Sequence, residues 1–143
     1  MIITSLALAT AAMFTGAAAY VNWSEQPARL SLDDAALLKE WKLSYANGTR
    51  MQAPLALLSG LLGLAAFYFE QRAMAAVGGI LMLANWLYTL LAINPTNRQL
   101  TAMADGAADP RPLIRKWGRL HAVRTLLGFA GVCAFFFAQV AAG

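Results

Sequence analysis

Four apolar runs, each about as long as a bilayer is thick, constrain this chain more than any other feature. A helix crossing the hydrocarbon layer needs about 20 largely apolar residues. Inside lipid, only helices and closed barrels satisfy their own backbone hydrogen bonds. The runs fall at about 2–22, 53–69, 73–93 and 119–142 of 143 residues. The first contains Ala17-Ala18-Ala19, which resembles a leader cleavage site. No Lys or Arg precedes its apolar core, as a leader requires, so it reads as a helix. Only 13% of the residues are charged, against roughly 25% in soluble domains. The predicted fold is therefore all-α: an integral membrane four-helix bundle forming one domain over 1–143.

The polar segments between the runs fix the layout. Glu70-Gln71-Arg72 is so short that the second and third runs must form an antiparallel hairpin. In the first long connection, Leu37, Leu38, Trp41 and Tyr45 form one apolar stripe at helical spacing. This predicts a short amphipathic helix, capped by Ser31 or Asp33 and stopped by Gly48. It lies on the membrane surface or folds over the bundle mouth. Pro54 suits the first turn of the second run. Ser59 and Gly63 form a small-xxx-small pair that permits close helix contact. Pro95 should end the third helix, leaving Asn94–Gly118 as a second polar loop that is irregular over 104–112. The last helix should begin near Leu113. Trp86 and Tyr88 have the composition of interfacial anchors.

The net charge of +4 sits in these connections. Arg29, Lys39, Lys42, Arg50, Arg98, Arg111, Arg115, Lys116 and Arg119 lie on one side, with Arg124 just inside; Arg72 lies on the other. The positive-inside rule then predicts a multi-pass protein of the cell inner (plasma) membrane, with both long loops cytoplasmic. Basic loops beside apolar runs set orientation, so the bilayer is the expected partner and nucleic acid is not. Gly60, Gly63, Gly78, Gly79, Gly128 and Gly131 allow tight packing within one bundle or between copies in a homo-oligomer.

Trp117, His121 and Arg124 recur at i, i+4 and i+7, one helix face, where the second loop meets the last apolar run. His121 is the one histidine of the chain. Two placements are open. Arg124 extends to headgroups while His121 bonds a loop carbonyl, or both face the interior with Asn85, Tyr88, Asn97 and Tyr45 completing a polar pocket. In the second case His121 can exchange protons near neutral pH, and Arg124 can stabilise an oxyanion. That pairing suits deprotonation of a phenol or an acidic C–H, or binding of a quinone-like carbonyl. Zinc or di-iron sites need three or more His, Cys or carboxylate ligands. Here the single His and the single Cys, Cys133, are remote, and the carboxylates sit in loops. A haem on His121 would lack a second histidine. No GxGxxG or GxxxxGK[ST] sequence occurs. No metal or other cofactor is expected.

Pro95, Asn97 and Leu100, followed by Trp117, His121 and Arg124, match a Pro-x-Asn-x-x-Leu element and a Trp-x-x-x-His-x-x-Arg element. In these the chain resembles the anthrone oxygenase-like family of small membrane proteins. Glu25-Gln26-Pro27-Ala28-Arg29 is also similar, with Gln26 where relatives often carry His. The resemblance implies a four-span bundle. In fungal relatives it implies oxidation of an anthrone to an anthraquinone by molecular oxygen, with no evident metal or flavin. On that basis His121 is the expected base, with Arg124 and Asn97 stabilising the oxyanion. Trp117, Asn85, Tyr88 and Tyr45 are the expected contacts to a hydrophobic small molecule. The alternative expectation is a protein that binds or transports a lipid or quinone in the same pocket, or a membrane-complex subunit, without chemistry.

Overall fold

The computed structural model of the chain describes residues 1–106 and 109–141. Ala107, Ala108, Ala142 and Gly143 lie outside the described residues, and with them the middle of the irregular 104–112 stretch and the expected end of the last run at Ala142. Four helices are each long and apolar enough to cross a bilayer: α1 (Ile2–Leu30), α2 (Asp34–Glu70), α3 (Ala73–Ala102) and α4 (Arg111–Val140). They form a closed ring in which α1 packs on α2 and α4, and α3 packs on the same two. The chain is thus a multi-pass, all-helical membrane bundle.

The amphipathic stretch expected between the first two runs is present, with Leu37, Leu38 and Trp41 buried. It is continuous with the second span. Asp33 caps it by accepting from the Ala35 and Ala36 N–H groups at 3.1 and 3.0 Å. The helix then passes through Gly48 without stopping and keeps Pro54 in its interior. It ends at Gln71, whose left-handed φ of 55° turns the chain into α3. The third helix also outruns expectation, continuing past Pro95 to Ala102, and α4 starts at Arg111 rather than Leu113.

The proline crossings in α1 and α3 use the same device. Val21–Glu25 and Thr89–Ile93 are π-helical. Gln26 N–H donates to Val21 O and Asn94 N–H donates to Thr89 O, each spanning five residues. The residue without a donor follows directly, Pro27 in one case and Pro95 in the other. A π turn is a frequent companion of functional sites.

Below these turns, small residues set the spacing. Ser59 Oγ donates to Ala7 O at 3.1 Å, joining α2 to α1. Gly63 and Gly79 bring the α2 and α3 backbones together so closely that a Cβ on Gly63 would stand 2.7 Å from Gly79 Cα. Phe14, Met82 and Phe135 fill the rest of this layer. Leu37, Trp41, Ile93, Ile114 and Trp117 form a second layer at the far end.

Helix starts inside a membrane leave orphan N–H donors. Here the Glu70 carboxylate, at the end of α2, accepts from Ile3 N, Thr4 N and Thr4 Oγ1 at 2.9, 3.1 and 2.6 Å. Glu70→Ala is expected to destabilise the bundle by about 1–2 kcal/mol, read as a lower melting temperature in detergent. An unchanged melting curve would remove this cap from the account.

Candidate functional site

The end of the bundle where α1 leads into α2, and where α3 ends and α4 begins, holds most of the ionisable side chains. His121 is 2% exposed. Its Nδ1 lies 2.8 Å from Asn22 Oδ1. The Asn22 amide is oriented independently, because its Nδ2 donates to Gly118 O at 3.0 Å. The same Oδ1 also accepts from Thr125 Oγ1 at 2.8 Å. Asn22 Oδ1 can only accept, so Nδ1 carries the proton. Nε2 has no partner among the described residues.

Aromatic contacts hold the imidazole from the other side. The Trp117 ring lies 4.9 Å from it, tilted by 32°. Trp117 Nε1 donates to Asn97 Oδ1 on α3 at 2.9 Å, which leaves the Asn97 amide N–H groups without a partner among the described residues. Trp41 meets Trp117 edge-on at 5.7 Å and stacks on Tyr45 at 4.9 Å. Arg29 caps the assembly, its guanidinium 5.4 Å above Trp117. Arg29 was expected among the basic loop residues. Instead its side chain is buried and paired with Glu25 and Glu40 at 2.8 and 2.9 Å. Unpaired, it could not occupy that position.

Arg124 lies one turn deeper than His121. Its guanidinium sits 5.2 Å from the Phe14 ring and takes part in no ion pair among the described residues. A cavity of about 30 Å³ lies between these groups, lined by His121, Arg124, Asn97, Trp117, Tyr45 and Gln52. That is room for about one water molecule. A side cavity of about 120 Å³ between α2 and α3 also reaches Arg124, Asn97 and Tyr45.

The structure therefore brings His121, Arg124, Asn97, Trp117 and Tyr45 around one cavity. It places the other two expected contacts elsewhere. Asn85 Nδ2 donates to Arg124 O at 2.8 Å, and Tyr88 donates to Leu120 O at 3.3 Å. Both pin α3 to α4 and neither lines the cavity. Among the described residues, no group of three or more His, Cys, Asp or Glu comes together.

Asn22 carried no expectation from the sequence, and Gln26 and Arg29 were noted only in the Glu25–Arg29 resemblance and among the loop charges, not as parts of the site. The three recur at i, i+4 and i+7, the same spacing as Trp117, His121 and Arg124. Each meets α4: Asn22 at Gly118 and His121, Gln26 through a 2.9 Å bond to Ile114 O, and Arg29 over Trp117. The paired stripes were a readable signal. The apolar run ends near residue 22 but α1 continues to Leu30, so apolar length alone leaves the Gln26 and Arg29 positions outside the helix.

Two comparisons bear on this arrangement. A family model described as anthrone oxygenase matches residues 41–134, a stretch that includes Tyr45, Asn97, Trp117, His121 and Arg124. A protein named anthrone oxygenase from Claviceps purpurea (strain 20.1) is 31% identical over 149 residues, covering 92% of this chain and 84% of that protein. No solved structure matches the chain.

Proposed function

The chain belongs to the anthrone oxygenase family, and from that premise we propose that it oxidises a hydrophobic anthrone or related polycyclic phenol with molecular oxygen, using His121 as base. The observation that carries this reading is the Asn22–His121 bond. It assigns the proton to Nδ1 and leaves Nε2 as the bare nitrogen beside a cavity that also receives Arg124 and Asn97. A base must reach the proton it removes, and here nothing in the described chain competes for it.

The steps balance with oxygen as sole co-reactant. Nε2 takes a proton from the acidic CH₂ of the anthrone, leaving an enolate. Arg124 and the free Asn97 N–H groups stabilise the charge on its oxygen. Oxygen accepts the electrons and bonds to that carbon, and the proton returns to the outer oxygen to give a hydroperoxide. Loss of water leaves a second carbonyl. Each turnover consumes one O₂, forms one quinone and releases one water. Purified protein in lipid nanodiscs, given anthrone and no added cofactor, should form anthraquinone faster than empty nanodiscs, with one O₂ consumed per quinone. No acceleration, or a requirement for added metal or flavin, would sink this reading.

Asn22→Leu removes the group that orients the imidazole but leaves Nε2, Arg124 and Asn97 in place. It is expected to lower kcat by about tenfold or more with KM little changed. An equal rise in KM instead would mark Asn22 as a binding or packing residue.

A second reading draws on the large groove beside the cavity. Its volume, about 900 Å³, suits a protein that holds a lipid or quinone without altering it. Native mass spectrometry recovering one lipophilic molecule unchanged, from protein with no oxygenase activity, would favour this reading. We also place the site end in the cytoplasm of the cell inner membrane, since exposed Arg98, Arg115, Lys116 and Arg119 cluster there. Labelling of a cysteine substituted at Lys116 from outside intact cells would overturn that orientation.

A further inference from the structure

We propose that the ring system of the substrate is held in the groove between α1 and the first half of α2, and that one edge of it reaches His121 past Gly48. This rests on the reading of the His121 cavity as the reaction centre. Size is the first argument. Pockets that enclose a drug-sized ligand measure about 300–1,000 Å³. The cavity at His121 holds about 30 Å³ and the one between α2 and α3 about 120 Å³. The groove holds about 900 Å³. Of these three spaces the groove is the one large enough for three fused rings, and the inner cavity keeps room for a molecule the size of oxygen.

Continuity is the second argument. Ser44, Gly48 and Gln52 line both spaces. They lie at i, i+4 and i+8, so one stripe of α2 forms the partition. Gly48 is the gap in it. The glycines at 60, 63 and 79 face neighbours that a Cβ would strike, whereas a Cβ on Gly48 would meet nothing within 4 Å. Glycine inside a helix costs about 0.5–1 kcal/mol relative to alanine, and packing does not explain it here. Location is the third argument. Tyr20, Leu43 and Met51 border the groove and are each more than half exposed, and Trp23 nearby is 87% exposed. Exposed Tyr and Trp mark the interface between headgroups and acyl chains, where an amphiphilic phenol partitions. Glu25, Lys39 and Ser44 at the polar end of the groove offer hydrogen-bond partners to ring hydroxyls.

Benzophenone, an uncharged diaryl ketone that couples to nearby C–H bonds on illumination, tests the groove directly in the reconstituted full chain. Adducts are expected at Tyr20, Leu43 and Met51, several-fold above Leu61 and Phe67, which are comparably exposed further along α2. Even labelling of all lipid-facing residues would overturn the proposal, as would adducts concentrated at Trp86 and Leu90 on the far side of α2. Gly48→Leu fills the gap. It should lower kcat/KM for anthrone by about tenfold or more without lowering the melting temperature or moving the adducts. Retention of kcat/KM within about twofold would also overturn it. If the wild-type protein oxidises nothing, the proposed function fails, while the adduct map still decides whether the groove binds a planar ketone.

Discussion

Replacing His121 with alanine is expected to slow quinone formation by about 10²- to 10⁴-fold, the range that a positioned general base contributes. The effect should lie in chemistry, because the substrate's bulk does not rest on the imidazole. Folding should survive, since Asn22 Oδ1 keeps its bond from Thr125 and Asn22 Nδ2 keeps Gly118 O. The truncation also opens space beside Trp117. Added imidazole should therefore restore part of the rate, a response that a purely structural histidine would not give. A His121→Ala protein that retains more than about a tenth of wild-type turnover would remove the imidazole from the base role.

The largest stability effect is expected from Gly79→Ala. The added Cβ would stand 2.8 Å from Gly60 O, 3.1 Å from Leu64 N and 3.2 Å from Gly63 C. All three are backbone atoms, so no rotamer change relieves the clash and α2 must move off α3. Overpacking typically costs about 1–3 kcal/mol, and a clash with rigid backbone belongs at or above the top of that range. The same substitution at Gly48 has the opposite sign. It meets open space and should gain about 0.5–1 kcal/mol from reduced unfolded-state freedom and better helix propensity. Melting curves of the two variants in one detergent give a paired check. Comparable shifts would mean that α2 and α3 are not in contact at these glycines.

Much of this was legible in the residues. The four apolar runs dictated four helices, because lipid leaves the backbone no other partner. The spacing of Trp117, His121 and Arg124 dictated a shared face, and the second-half motif matched the family. What was not legible came from three local signals that tertiary structure overrode. Gly48 and Pro54 read as boundaries, yet Trp41 and Ala56 on either side are both buried, and that shared burial carries the helix through. Pro95 read as a terminator because its missing donor breaks an α-turn, and the π turn before it was invisible in composition. Arg29 read as a solvated loop charge, since sequence does not reveal that Glu25 and Glu40 converge on it from two helices.

The π turns also bear on how one rod serves two surroundings. Each admits one residue beyond the regular repeat, so the segments before and after it are out of phase. Removing a residue from either turn would restore uniform pitch and swing everything beyond by about 100°. Gln26 and Arg29 would rotate off α4 in one case, and Asn97 off Trp117 in the other. The apolar lengths facing lipid would keep their register while the chemistry at the mouth came apart, so insertion into the bilayer and assembly of the site are separable properties of the same helices.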